Sequence, residues 1–88
     1  MIMWVVLLSP EVQDFLEKAD SQIATRLKKG LKKLETENPF HYLEHYESDN
    51  YYKYRIGDYR ALIDIDFLNK TLKVRVLDHR SLIYKRRY

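Results

Sequence analysis

The sequence predicts an α+β fold with the order β-α-α-β-β-β, in which a helix hairpin packs on a mostly antiparallel four-stranded sheet followed by a short C-terminal tail. Three observations predict it. Apolar residues recur at helical spacing twice between residues 10 and 38, and at every second position in three runs between residues 51 and 78. Two dipeptides suited to tight turns, Gly57-Asp58 and Asn69-Lys70, separate those three runs.

The elements follow in chain order. Met3 to Leu8 is a continuous apolar run, read as the first strand. Ser9-Pro10 then opens a helix, with Ser9 as its cap and Pro10 in its first position. Val12, Phe15, Leu16 and Ala19 form one apolar stripe. Asp20 or Ser21 caps a second helix, whose stripe is Ile23, Leu27, Leu31 and Leu34, and Asn38-Pro39 stops it. The two stripes cover the buried face of the sheet. Gly30 sits inside the second helix, where it costs about 1 kcal/mol relative to Ala; close packing against the neighbouring helix is a reason to keep it. Phe40 to Asn50 reads as a loop rich in aromatic and charged residues.

Counting outward from the two turns sets a strand register. Around Gly57-Asp58, Ile56 faces Tyr59, Arg55 faces Arg60, Tyr54 faces Ala61 and Lys53 faces Leu62. Around Asn69-Lys70, Phe67 faces Leu72, Ile65 faces Val74 and Ile63 faces Val76. The apolar partners then share one face. On the other face Asp66 meets Lys73, Asp64 meets Arg75, and Arg60 meets both Arg55 and His79. Like charges set opposite one another destabilise a sheet, so Lys53, Arg55, Arg60 and His79 together call for an anion.

Eighty-eight residues suggest one domain, 1–88, able to bury one core. The absence of cysteine excludes disulfides and thiolate metal sites and is compatible with the reducing cytoplasm. The apolar start lacks a basic leading region and a cleavage site and is too short to span a bilayer, so no membrane association is expected. Residues 1–50 carry a net −3 and residues 51–88 a net +6. The basic excess in the sheet and tail suits a polyanion or an acidic protein segment; a soluble protein with a basic terminus is the plainer reading. Arg26, Lys28, Lys29, Lys32 and Lys33 on the second helix read as a solvated face. His41 and His45 lie four apart with no third ligand evident, so neither a metal nor a cofactor is expected. Glu44 and Glu47 suit a general base only if their loop folds over the sheet. There is no glycine-rich phosphate loop, and neither Ser9 nor Ser81 has a nucleophile's partners.

The pattern resembles the RelE/ParE toxin superfamily over nearly the whole chain. The resemblance rests on the Trp4–Leu34 opening with its Ser9-Pro10 junction, on Tyr52-Lys53-Tyr54-Arg55-Ile56-Gly57-Asp58-Tyr59-Arg60, and on His79-Arg80 followed by Tyr84. For the RelE branch it implies a ribosome-dependent mRNA endoribonuclease that needs no metal. The RNA's 2′-hydroxyl attacks the adjacent phosphate, leaving a 2′,3′-cyclic phosphate and a 5′-hydroxyl. By the same resemblance Lys53 contacts the phosphate backbone, Arg60 stabilises the transition-state phosphate, Arg80 contacts phosphate or protonates the leaving group, and Tyr84 stacks on the substrate. Arg55, Arg75, Lys85 and Arg86 complete the RNA-binding set. Arg55 stands where the best-known ribonucleases of the branch carry a lysine proposed as general base. Arginine does not deprotonate near neutral pH, and His79 is the replacement read from the sequence. The implied partners are mRNA on the ribosome and a cognate antitoxin, in an assembly such as a toxin–antitoxin heterotetramer. A ParE-type inhibitor of DNA gyrase without catalysis, and a catalytically weak RNA-binding homologue, are the alternatives.

Overall fold

A computed structural model describes residues 3–45 and 51–83. The order is β1 (Val5–Leu8), α1 (Pro10–Lys18), α2 (Ser21–Thr36), a 3-10 turn (Pro39–His41), β2 (Glu44–His45), β3 (Tyr52–Ile56), β4 (Tyr59–Asp66), β5 (Thr71–His79) and α3 (Arg80–Ile83). The sheet has five strands in the order β1-β5-β4-β3-β2, with β1 parallel to β5 and the rest antiparallel. The α+β expectation holds. The strand count does not: Glu44–His45, two residues inside the expected loop, form an edge strand too short to show any alternation.

Local chemistry starts each helix as the sequence suggests. The Ser9 hydroxyl accepts from the Val12 N–H at 3.1 Å, and Pro10 begins α1. The same hydroxyl donates to the Arg75 carbonyl at 2.8 Å, so the cap also fastens α1 to β5. Asp20 caps α2 through the Gln22 N–H. Val12, Leu16, Leu27, Leu31 and Leu34 meet Tyr54, Ile56, Ala61, Ile63, Leu72, Val74 and Leu77 in one core between the helices and the sheet. The β1 edge is partly closed. The outward Val6 N–H donates to the Glu35 carboxylate at 3.0 Å, and the Leu8 carbonyl accepts from Gln13.

The β3–β4 register is the one counted from Gly57-Asp58. The β4–β5 register is not the one counted from Asn69-Lys70. The strands end at the Asp66–Thr71 pair, and Phe67–Lys70 forms a four-residue loop. The Asp66 carboxylate accepts from the Asn69 side chain and backbone N–H, which holds its pKa below the usual carboxylate value, and Lys70 takes a φ of 51°. Ile65 therefore faces Leu72, Ile63 faces Val74, and Asp64 faces Lys73. Phe67 lies outside the core, 59% exposed, against Trp4 and Phe40.

A bulge then changes faces. Ile63 pairs with Val74 but Leu62 pairs with Val76, leaving Arg75 as the extra residue of β5. Beyond it Leu77 points to the helix-side core. Val76, expected there, points to the opposite face, where it joins Leu62 and Ile83 in a second small cluster with Tyr51. The chain after Asp78 is not a loose tail as far as Ile83, because α3 lies on that face.

Gly30 packs against the sheet, not the neighbouring helix. A Cβ there would lie 2.9 Å from the Ile56 Cγ2, and the Gly30 carbonyl accepts from the Tyr54 hydroxyl at 2.7 Å. In Gly30→Ala the gain in helix propensity of about 1 kcal/mol is outweighed by overpacking of about 1–3 kcal/mol, since a branched methyl held in a strand has little room to yield. The urea midpoint is expected to fall. Burial, with lesser contributions from Tyr42 and Glu37, raises the Tyr54 pKa above its ordinary value. The folded state thus favours the protonated phenol. Its contribution is complete below the unfolded pKa of about 10 and is lost as pH rises through the folded value. Tyr54→Phe is expected to flatten that alkaline limb in a stability-versus-pH series, at a cost of about 1 kcal/mol near neutrality.

Candidate nucleic-acid interface

The β3–β4 hairpin sets the geometry. Gly57 adopts a φ of 58°, the left-handed region that glycine enters without strain, and two residues reverse the chain. Arg55 and Arg60 are thereby placed directly opposite one another. Their side chains part. Arg55 turns toward β2, where its Nε lies 3.7 Å from Glu44 Oε1. Arg60 turns back to the hairpin, its Nη1 donating to the Gly57 carbonyl at 2.7 Å and the Tyr59 carbonyl at 2.8 Å. The Arg60 Nε is buried without a hydrogen-bond partner, a cost of about 1–3 kcal/mol that the fold carries at this site.

Arg80 reaches the same turn from α3. Its backbone N–H donates to the Asp58 carbonyl at 2.8 Å, and its Nε lies 3.7 Å from Asp58 Oδ1. Gly57-Asp58 is thus the point at which Arg60 and Arg80 meet. Lys53 shares a strand face with Arg55, and its Nζ lies 3.6 Å from Glu44 Oε2. The anion that the sequence reading called for is supplied in part from within, by Glu44, Asp58 and Asp78, the last paired with Arg60 in register. Their roles were hidden because β2 and the contacts across the hairpin are tertiary. The Arg55 and Arg80 pairs are surface pairs, each worth about 0–1 kcal/mol, whereas the Lys53 side chain is largely covered.

The remaining candidates fall elsewhere. Arg75, the bulge residue, pairs with Asp64 through Nη2 and Nε, both at 3.1 Å, beyond the Leu62–Val76 pair. His79 does not face Arg60. The bulge moves it opposite Tyr59, whose ring it touches edge-on at 5.5 Å, on the face of the sheet turned to the helices. The imidazole Nδ1 accepts from the Ser81 N–H at 3.1 Å and lies 2.8 Å from the Ser81 hydroxyl. Tyr84, Lys85, Arg86 and Glu47 lie outside the described residues. No group of three or more candidate metal ligands occurs among the described residues, and no helix among them is long and apolar enough to cross a membrane.

A helix hairpin on this sheet, with a cationic hairpin turn and a C-terminal helix folded against it, is the architecture of the small toxins of toxin–antitoxin pairs. Residues 6–83 match the family model for the ParE toxin of type II toxin–antitoxin systems, parDE, and the chain belongs to that family within the RelE/ParE superfamily. No curated protein matches it. Among solved structures it is similar to a chain of the RelBE2 toxin–antitoxin complex of Mycobacterium tuberculosis (TM-score 0.70, 20% identity, 90% of this chain and 100% of that one). It is similar also to chains of the archaeal RelE–RelB complex of Pyrococcus horikoshii (0.71, 21%, 90% and 97%) and of the RelB–RelE complex of Methanococcus jannaschii (0.69, 22%, 93% and 99%). At these identities the likeness is one of fold.

Glu44→Gln is expected to tighten binding of a short single-stranded RNA to the isolated protein by about two- to fivefold at low salt, measured by fluorescence anisotropy. The gain is expected to disappear at high ionic strength.

Proposed function

We propose that this toxin inhibits translation as a ribosome-dependent mRNA endoribonuclease. The observation that carries the reading is the meeting of Arg60 and Arg80 at one tight turn, on a hairpin that also presents Lys53 and Arg55. Two cations at one turn, with two more on the same hairpin beside Glu44, suit a phosphodiester whose charge rises as the reaction proceeds. The 2′-oxygen attacks phosphorus, its proton passes to a base, the P–O5′ bond breaks, and the 5′-oxygen takes up a proton. Arg60 and Arg80 stabilise the dianionic phosphorane. Lys53 and Arg55 hold the flanking backbone, and Tyr84 stacks on the substrate base. Arg55 cannot accept the proton, and the position of His79 gives no support to the role of base. Glu44, between Lys53 and Arg55, is the carboxylate assigned to it. In this reading the acceleration rests chiefly on electrostatics and on the ribosome's positioning of the message.

The site would operate in the cytoplasm. The partner is a cognate antitoxin, as the RelB-bound neighbours suggest, with a heterotetramer as the expected assembly. The family match favours a second reading, a gyrase inhibitor without catalysis; a supercoiling assay separates the two.

Induction of wild type in a heterologous host is expected to produce new mRNA 5′ ends within codons at the decoding site, mapped by primer extension. Arg60→Ala and Tyr84→Ala are expected to abolish them along with growth inhibition, and Glu44→Gln to slow their appearance without loss of ribosome binding. Growth inhibition that survives Arg60→Ala, or arises with no new ends, would refute the nuclease reading.

A further inference from the structure

We propose that His79 is a positioning residue: its imidazole caps the N-terminus of α3 and so fixes Arg80 on the Gly57-Asp58 turn. The proposal rests on the reading of Arg80 given above, but its geometry is independent of that reading. Residue 79 is the last of β5, and α3 begins at residue 80. The Ser81 N–H is one of the backbone donors that a helix start leaves without an intrahelical acceptor. His79 Nδ1 accepts from it at 3.1 Å, as an Asn or Asp side chain does at an ordinary N-cap. Because a backbone amide can only donate, Nδ1 carries the lone pair, and the neutral ring holds its proton on Nε2. The nitrogen that would serve as a base is already engaged.

Three contacts hold α3 in place around this cap. The His79 ring rests edge-on against Tyr59, and Tyr59 against Phe15 of α1. At the other end Ile83 is buried against Leu62 and Val76. Between these anchors the Arg80 N–H is tied to the Asp58 carbonyl at 2.8 Å. Loss of the cap leaves Ile83 seated but frees the N-terminal end of this single turn, the end that bears Arg80.

The test uses the full chain with His79→Ala and His79→Asn. Asparagine supplies a capping oxygen near the place of Nδ1 but cannot act as a base near neutral pH. Hydrogen exchange at the Ser81 amide is read first. It is expected to quicken by about fivefold or more in His79→Ala and to return toward the wild-type rate in His79→Asn. Formation of mRNA ends is read next: His79→Ala is expected to lower the rate constant at saturating ribosome concentration, and His79→Asn to restore most of it. Equal Ser81 exchange in wild type and His79→Ala overturns the proposal. So does a His79→Asn variant that protects Ser81 yet is as inactive as His79→Ala, the result a proton-transfer role would give. If the wild type makes no mRNA ends at all, the nuclease reading fails, and the exchange measurement alone decides whether His79 is a cap.

Discussion

One extra residue in β5 decides what the rest of the structure can do. Without the bulge at Arg75, strict alternation would put Val76 and Asp78 on the helix side and turn Leu77 and His79 outward. With it, Leu77 completes the main core, and Val76 joins Leu62 as a platform for Ile83. Asp78 comes opposite Arg60, and His79 comes opposite Tyr59. The bulge is held from outside its own ladder, because the Arg75 carbonyl accepts from Ser9 and its side chain pairs with Asp64.

The cationic site is a product of that arrangement. Two arginines far apart in sequence meet at Gly57-Asp58 only because β4 and β5 pair in this register and α3 folds down behind them. The repulsion that such a cluster generates is moderated by carboxylates drawn from three elements rather than removed by burial. The Arg55 and Arg80 pairs are exposed and inexpensive to break. The bonds of Arg60 to two backbone carbonyls fix its guanidinium against the hairpin.

Much of this was legible in the sequence where the signal was local. The Ser9-Pro10 and Asp20 caps, both helix stripes, the Gly57-Asp58 hairpin and the facing of Arg55 and Arg60 depend on neighbouring residues, and the structure has them. The β4–β5 register was not legible from the turn alone. Asn69-Lys70 resembles a two-residue turn, but Asp66 binds Asn69 and opens the loop to four residues. The bulge did leave a trace: Val76-Leu77 is a pair of adjacent apolar residues in a run that otherwise alternates, and such a pair marks a change of face. Glu44–His45 left none, because two residues carry no period, and so the carboxylate beside Lys53 and Arg55 could not be placed. The expectation that Gly30 makes room for a helix overlooked Ile56, a contact set by how the helix lies on the sheet.

The parallel pairing of β1 with β5 joins the start of the described chain to its far end, and β5 lies between β1 and β4 in the sheet. A ribosome synthesising this protein therefore emits the helices and the β3–β4 hairpin before the strand that locks them together. The nascent chain has no finished cationic site until Arg80 has cleared the exit tunnel and β5 slots in between β1 and β4. A cell making this toxin is spared the action of that site until its last-made strand has emerged.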